Sequence, residues 1–258
     1  MNQMQAPALI SETLEDKILT LTLGAGVAHP LSLGMIKELL AAISAAEANP
    51  DVHVMVIHGP GKIFCAGHDL KEIARHRGDA DQGLAFVREL FEACGEMMQA
   101  ITMSPKPSIA VVEGIATAGG LQLVAACDLA FAGPKARVCL PGISNGGFCT
   151  TPSVAVARNI GRKAVMELAL SGEAMDAEWG QRAGLFNRVV NGDVLEEAKQ
   201  FAQIVVKGHP AALGLGKRTL YQQLEMPLPE AYAHATEAMI SHFMDPERIR
   251  LEKAGKYS

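Results

Sequence analysis

Apolar runs of strand length alternate with helix-length amphipathic segments along the first half of the chain, and this order constrains the fold more than any other feature. The runs "KILTLTLG" (17–24), "VHVMVIHGPG" (52–61) and "SIAVVEG" (108–114) have the composition of strands that are partly or fully buried. Segments with helical spacing begin after Ser32, a suitable N-cap, and at Leu84. Repeated strand–turn–helix order predicts an α/β fold.

The second half of the chain, after about residue 150, has a mostly helical pattern. Asp193 followed three residues later by Glu196 is the pattern of a helix start. A break near Lys207–Pro210 separates this helix from two later ones. We therefore predict a core of residues 1–207 and a C-terminal helical subdomain of residues 208–258.

The composition excludes several classes of function. The net charge of −5 and the absence of a Lys/Arg-rich run argue against a nucleic-acid or membrane-surface partner. We expect no signal peptide and no membrane span, because no basic start and no apolar run of about 20 residues occurs. The cysteines are odd in number, scattered and without a CxxC pair, so we predict no metal site and a reducing, cytoplasmic location. They are Cys65, Cys94, Cys127, Cys139 and Cys149.

Two glycine-bearing turns are the candidates for chemistry. They lie in "GPGKIFCAGHDL" (59–70) and "EGIATAGGLQL" (113–123), and each follows a predicted strand. Glycine permits close approach to the backbone, so two N–H groups from separate turns could point at one oxygen atom and form an oxyanion hole. In the alternative interpretation, these glycines only make tight connections between strands and helices. Neither turn matches a phosphate-binding or dinucleotide-binding motif.

The stretches "FCAGHDLKEI" and "KPSIAVVEGIATAGGLQLVAACDLAFAGPKARVCLPG" resemble the crotonase superfamily of enoyl-CoA hydratases and isomerases. The resemblance extends over nearly the whole chain. It implies a crotonase-like spiral of ββα units with a C-terminal helical region. It also implies a homotrimer or a dimer of trimers, and an enzyme of the lyase or isomerase class in fatty-acid metabolism.

The resemblance implies a CoA thioester as substrate, with no permanently bound cofactor. The thioester carbonyl would lie between the backbone N–H groups of Ala66 and Gly119, which would stabilise an enolate oxygen. The residues expected to contact CoA are Phe64, Ala66, His68, Asp69 and Leu70. For Asp69 a purely structural role as a helix N-cap is the alternative interpretation.

Two positions depart from the pattern of a hydratase. Hydration in this family uses two glutamates as acid and base, and this chain has Gln122 and Gly142 in their places. An amide is not a general base near neutral pH, and glycine contributes only its backbone. Gln122 is therefore either an active-site amide or a core residue with satisfied hydrogen bonds. We expect ordinary hydratase activity to be poor.

Other side chains leave three alternative functions open. His68 matches the histidine of methylmalonyl-CoA decarboxylases in the superfamily, and a decarboxylation would form the enolate without a base. Cys149 could be the nucleophile of a thioesterase, although free cysteines are more often small buried apolar residues. A non-catalytic acyl-CoA-binding protein would keep the oxyanion hole alone.

His29 stands where the family often has asparagine, and no pair of histidines has metal-binding spacing.

Overall fold

Two sheets organise residues 8–256, which are the part of the chain that the computed structural model describes. The larger sheet has the strand order β1-β2-β3-β5-β7-β10, and the smaller one has the order β4-β6-β8-β9. The strands are β1 Ile10–Glu15, β2 Ile18–Leu23, β3 Val54–Gly59, β4 Ile63–Cys65, β5 Ser108–Val112, β6 Ile115–Thr117, β7 Leu129–Ala132, β8 Arg137–Cys139, β9 Met175–Asp176 and β10 Arg188–Val189. Pairing is parallel except for β1 with β2 and β8 with β9.

Helices follow the short strands and make up most of the second half of the described chain. They are α1 Leu33–Ala48, α2 Leu70–Arg75, α3 Leu84–Met103, α4 Gly119–Ala126, α5 Thr150–Val156, α6 Arg162–Ser171, α7 Ala177–Ala183, α8 Val194–Val206, α9 Pro210–Gln223, α10 Leu228–Phe243 and α11 Pro246–Lys253. The predicted N-caps are confirmed: Ser32, Asp69 and Asp193 each accept hydrogen bonds from N–H groups in the first turn of their helices. Among these residues, no helix is both long and apolar enough to cross a membrane.

The repeating unit is a strand of the larger sheet, a three-residue strand of the smaller sheet and a helix. This unit occurs as β3-β4-α2, as β5-β6-α4 and as β7-β8-α5, the last with a 3-10 turn, Pro141–Asn145, before its helix. The predicted α/β class and the spiral of ββα units are confirmed. The sequence pattern missed β4, β6 and β8, because a strand of three residues is too short to show an alternation of apolar and polar side chains.

The central strands of the larger sheet, β3, β5 and β7, are buried on both faces, as expected of parallel strands. Alternate residues of its central strands pack against α1 and α3 on one face, where Met55 and Ile57 are fully buried. The intervening residues, Val54 and Val56, pack with Val194 and Ala198 of α8 on the other face. This two-sided packing fixes the register of the strands and therefore the positions of the turns that follow them.

A buried ion pair attaches the C-terminal helices to the sheet. Lys217 of α9 places its Nζ 2.8 Å from Asp128 Oδ2, and the two side chains are only 7% and 17% exposed. Tyr221 donates to Asp128 Oδ1 at 2.9 Å, and Ser108 donates to Oδ2 through both its N–H and its hydroxyl. The division into residues 1–207 and 208–258 stays a prediction, although this network ties α9 firmly to the core.

Removing the buried cation tests this attachment. Lys217→Met leaves the Asp128 carboxylate buried without its counter-charge, so we expect a loss of about 3–5 kcal/mol in the free energy of unfolding. The matched control is Lys199→Met, which breaks the more exposed pair with Glu15 and should cost at most about 1 kcal/mol. Urea unfolding at one protein concentration measures both variants. Equal losses would contradict a special role for Asp128.

Candidate active site

The turns after β4 and β6 touch at one edge of the smaller sheet. The two strands are parallel neighbours, so the segments that follow them leave the sheet at the same edge. A Cβ placed on Gly67 would lie 2.9 Å from Gly119 N and 3.1 Å from Thr117 O. Gly67 also has a φ of +80°. Only glycine satisfies both the close approach and the left-handed backbone.

Residues 28–33, here called the strap, hold the first turn from its other side. Ala66 N–H donates to Ala28 O at 2.9 Å, Leu31 N–H to Gly67 O at 2.8 Å, and Asp69 N–H to Leu31 O at 3.2 Å. Leu31 and His68 form a parallel bridge, in which Gly67 O and Asp69 N–H bond to Leu31 while the N–H and C=O of His68 itself point to the opposite side. The N–H of His68 therefore faces away from the strap, and no residue of the described chain accepts a hydrogen bond from it.

The prediction that Ala66 supplies a free N–H is wrong for this structure. That N–H is already bonded to the strap, so it is not available to a ligand. The unpaired donor of the first turn is the N–H of His68, two residues later. Sequence spacing identified the turn but not its strap partner, and the partner decides which N–H is left unpaired.

The second turn supplies a donor from the start of α4. Gly119 is the first residue of this helix, and its N–H has no acceptor within residues 8–256. Ala118 before it has a φ of +50°, which is unusual for a residue with a side chain, and its own N–H is held by Cys139 O at 3.0 Å. A Cβ on Gly119 would lie 3.4 Å from both Gly67 Cα and His68 Cε1. The donors thus come from two turns in direct contact.

Gln122 lies one helical turn beyond Gly119 and is only 4% exposed. Its Oε1 is buried without a hydrogen-bond partner, and its neighbours Leu121 and Leu123 are completely buried. Buried polar groups nearly always have partners, so an unpaired amide oxygen needs an explanation. The interpretation of Gln122 as a core residue with satisfied hydrogen bonds does not hold for this oxygen.

The His68 imidazole lies beside Gly119 in an apolar setting. Phe91 of α3 contacts it edge-on, with ring centroids 4.7 Å apart, and its Nε2 is buried with no partner. Burial lowers the pKa of His68 to about 4. The imidazole is therefore neutral near pH 7, where it can donate a hydrogen bond but carries no charge for an anion.

Gly142, where the family resemblance predicts the second glutamate of a hydratase, has no room for a side chain. A Cβ on Gly142 would lie 2.6 Å from Cys149 N and 2.7 Å from Phe148 C. Cys149 itself is 8% exposed, and burial raises the pKa of its thiol. A protonated, buried thiol is a poor nucleophile, so the structure does not favour a role for Cys149 in covalent catalysis.

The predicted CoA contacts fall into different environments. Phe64 is fully buried in the core, so its side chain is not accessible to a ligand and that prediction is wrong. Asp69 is engaged as the N-cap of α2 through Lys71 N and Glu72 N. Leu70 is 65% exposed at the start of α2, next to the first turn. In the described part of the chain, no three His, Cys, Asp or Glu side chains are grouped to hold a metal ion.

A family model for enoyl-CoA hydratase/isomerase matches residues 14–257. The chain belongs to this family. It is 39% identical to rat mitochondrial enoyl-CoA hydratase domain-containing protein 3 over 215 residues, which cover 83% of the chain and 70% of that protein.

Solved structures agree with the family assignment. A family protein from Silicibacter pomeroyi has 54% identity and a TM-score of 0.88, with 92% of this chain and 100% of that one covered. Human enoyl-CoA hydratase domain-containing protein 3 has 33% identity and a TM-score of 0.89, with 96% and 98% covered. The fold of this enoyl-CoA hydratase/isomerase family member is thus a crotonase fold.

The space at Gly142 can be tested by adding a single methyl group. Gly142→Ala forces its Cβ against backbone atoms, so we expect the free energy of unfolding to fall by about 1–3 kcal/mol. Gly147→Ala, in the same loop, meets only one atom, at 3.9 Å, and should change stability by about 0.5 kcal/mol or less. Chemical denaturation compares the two variants. A tolerated Gly142→Ala would show that this position has space for a side chain.

Proposed function

We propose that this protein binds an acyl-CoA thioester with its carbonyl oxygen between the N–H groups of His68 and Gly119. The observation that carries the proposal is the pair of unpaired backbone donors on two turns in contact. Membership of the enoyl-CoA hydratase/isomerase family supports a CoA thioester as the ligand. Fixed donors of this kind stabilise the negative charge that develops on the oxygen of an enolate. No permanently bound cofactor takes part in the proposal.

The chemistry that we propose does not depend on a carboxylate pair. Gln122 and Gly142 occupy the two glutamate positions. His68 is neutral, so it does not supply the negative charge of either missing carboxylate. General acid–base catalysis contributes about 10²–10⁴-fold for each group. We therefore expect crotonyl-CoA hydration to be slower than in a hydratase by at least about 100-fold. The oxyanion hole would instead serve an acyl-CoA reaction that forms an enolate by another route.

Decarboxylation of a malonyl-type CoA is the second candidate, and the unpaired Nε2 of His68 favours it. The bond between the α-carbon and the carboxylate breaks, its electron pair forms the enolate, and CO₂ leaves. Water then supplies a proton to the α-carbon, and the hydroxide that remains combines with CO₂ as bicarbonate. A neutral imidazole beside Gly119 can donate a hydrogen bond to the departing carboxylate. Because burial lowers the pKa of His68 to about 4, this role should not change between pH 6 and pH 8.

Two further alternatives are distinguished by their products. A non-catalytic acyl-CoA-binding protein would bind the thioester without turnover. A thioesterase that uses Cys149 would form an acyl adduct on that residue, but the burial of the thiol argues against it. Among the predicted CoA contacts, Leu70 has an exposed side chain beside the first turn that a ligand could contact.

We also propose that the chain assembles as a homotrimer or a dimer of trimers. Large apolar side chains of α9, α10 and the segment between them are at least half exposed in the single chain, which supports a contact with another copy. They include Leu220, Leu224, Leu228, Tyr232, Met239, Ile240 and Phe243. Light scattering should give a mass three or six times that of the chain, and a monomer would rule this assembly out.

The cytoplasmic location stays a proposal, consistent with five free, buried cysteines.

The ligand proposal is tested with butyryl-CoA, free CoA, crotonyl-CoA and methylmalonyl-CoA. Calorimetry should show tighter binding of butyryl-CoA than of free CoA. Gly119→Ala adds a methyl group 3.1 Å from Leu31 Cδ1 and 3.4 Å from His68 Cε1, and should weaken butyryl-CoA binding by about tenfold. The matched control is Gly95→Ala, whose Cβ meets no atom within 4 Å. Mass spectrometry follows products from each thioester, with His68→Ala as the variant that tests decarboxylation.

The outcomes separate the candidates. Equal affinity for butyryl-CoA and free CoA, unchanged in Gly119→Ala, would refute the oxyanion hole. A propionyl-CoA product from methylmalonyl-CoA that disappears in His68→Ala supports decarboxylation, and its absence in the unmodified protein ends that candidate. Crotonyl-CoA turnover within the ordinary enzyme range of about 1–10³ per second would contradict the argument from Gln122 and Gly142.

A further inference from the structure

His29 is a buried residue of the strap with an unusual backbone conformation. Its φ is +43° and it is only 4% exposed. Left-handed backbone is uncommon for residues other than glycine, although asparagine, aspartate and histidine adopt it several times more often than others. For a β-branched residue the same conformation is strongly unfavourable. The identity of residue 29 is therefore restricted by the backbone as well as by space.

The imidazole of His29 connects the strap to the turn that precedes β4. The ring Nε2 lies 3.2 Å from Pro60 O, and the backbone N–H of His29 donates to Ala25 O at 3.1 Å. A carbonyl oxygen only accepts hydrogen bonds, so Nε2 carries the proton of the neutral ring. Hydrogen bonds thus hold both the backbone and the side chain of His29 in place.

The neighbours of His29 make the bonds that orient the first turn. Ala28 O, immediately before it, accepts from Ala66 N–H, and Leu31, two residues after it, bonds to both Gly67 O and Asp69 N. The left-handed residue sets the chain direction between these two contacts. An extended conformation at residue 29 would displace Ala28 from Leu31, so that the three hydrogen bonds could not all form with the present geometry.

We propose that His29 is a positioning residue whose left-handed conformation holds the strap so that the N–H of His68 faces the side of Gly119. The inference rests on the proposed function, because it concerns the geometry of the same two donors. His29 contacts neither donor directly and acts through the strap. Its role is conformational, so a residue that tolerates a positive φ should replace it.

Three variants separate the backbone conformation from the side chain. His29→Val has a β-branched side chain that disfavours positive φ, and His29→Asn retains tolerance of that conformation. Asp16→Val is the matched control, since Asp16 has a φ of +48° in the hairpin between β1 and β2, a turn that makes none of the strap's bonds. Thermal melting of each variant reports its stability separately from ligand binding.

The readout is the infrared carbonyl band of bound butyryl-CoA, isotopically labelled at the thioester carbon. Hydrogen bonds from the two N–H groups should lower its frequency relative to the free thioester. We expect His29→Val to lose half or more of this lowering and to bind about tenfold more weakly. His29→Asn and Asp16→Val should keep the band of the unmodified protein, although Asp16→Val is also less stable.

Each result has one meaning for the inference. An unshifted band in the unmodified protein means that the proposed function itself fails. A full shift in folded His29→Val, or a lost shift in His29→Asn, overturns the positioning role while leaving the proposed function intact. If His29→Val does not fold, His29→Ala takes its place, since alanine strains this conformation less, and a full shift in His29→Ala also overturns the inference.

Discussion

The contact between the turns at Gly67 and Gly119 is the constraint on which the site depends. A side chain on Gly67 would collide with the backbone N of Gly119, so the two turns can approach only because that residue is glycine. Parallel pairing of β4 with β6 brings the turns to the same edge. The strands that precede β4 and β6, namely β3 and β5, are buried on both faces of the larger sheet, which fixes their register. The site is thus a consequence of the repeated ββα unit rather than of an added loop.

What the site lacks is as informative as what it retains. The backbone donors that would hold a thioester oxygen are present, whereas Gln122 and Gly142 stand where we predict the two glutamates of a hydratase. The two positions differ in kind. Gln122 has the shape of a glutamate and an unpaired oxygen, while backbone atoms around Gly142 fill the space that a side chain there would need. Restoring both glutamates by substitution would therefore require the loop around Gly142 to move.

Much of the fold could be predicted from the sequence, because long amphipathic helices, buried strands and polar N-caps leave clear local patterns. Ser32, Asp69 and Asp193 cap their helices as expected. The donor of the first turn could not be predicted in the same way. Whether Ala66 or His68 has an unpaired N–H depends on the strap, which lies more than thirty residues earlier in the chain. Likewise, the close packing of Gly142 against Cys149 could not be predicted from the residues that flank either of them in the sequence.

We propose that the thioester carbonyl binds the N–H groups of His68 and Gly119, and not that of Ala66. Nuclear magnetic resonance of protein labelled with ¹⁵N in histidine, glycine and alanine tests it most directly. Addition of butyryl-CoA should move the amide proton resonances of His68 and Gly119 downfield, as new hydrogen bonds form, and leave that of Ala66 nearly unchanged. A downfield shift of the Ala66 amide without one at His68 would contradict the account.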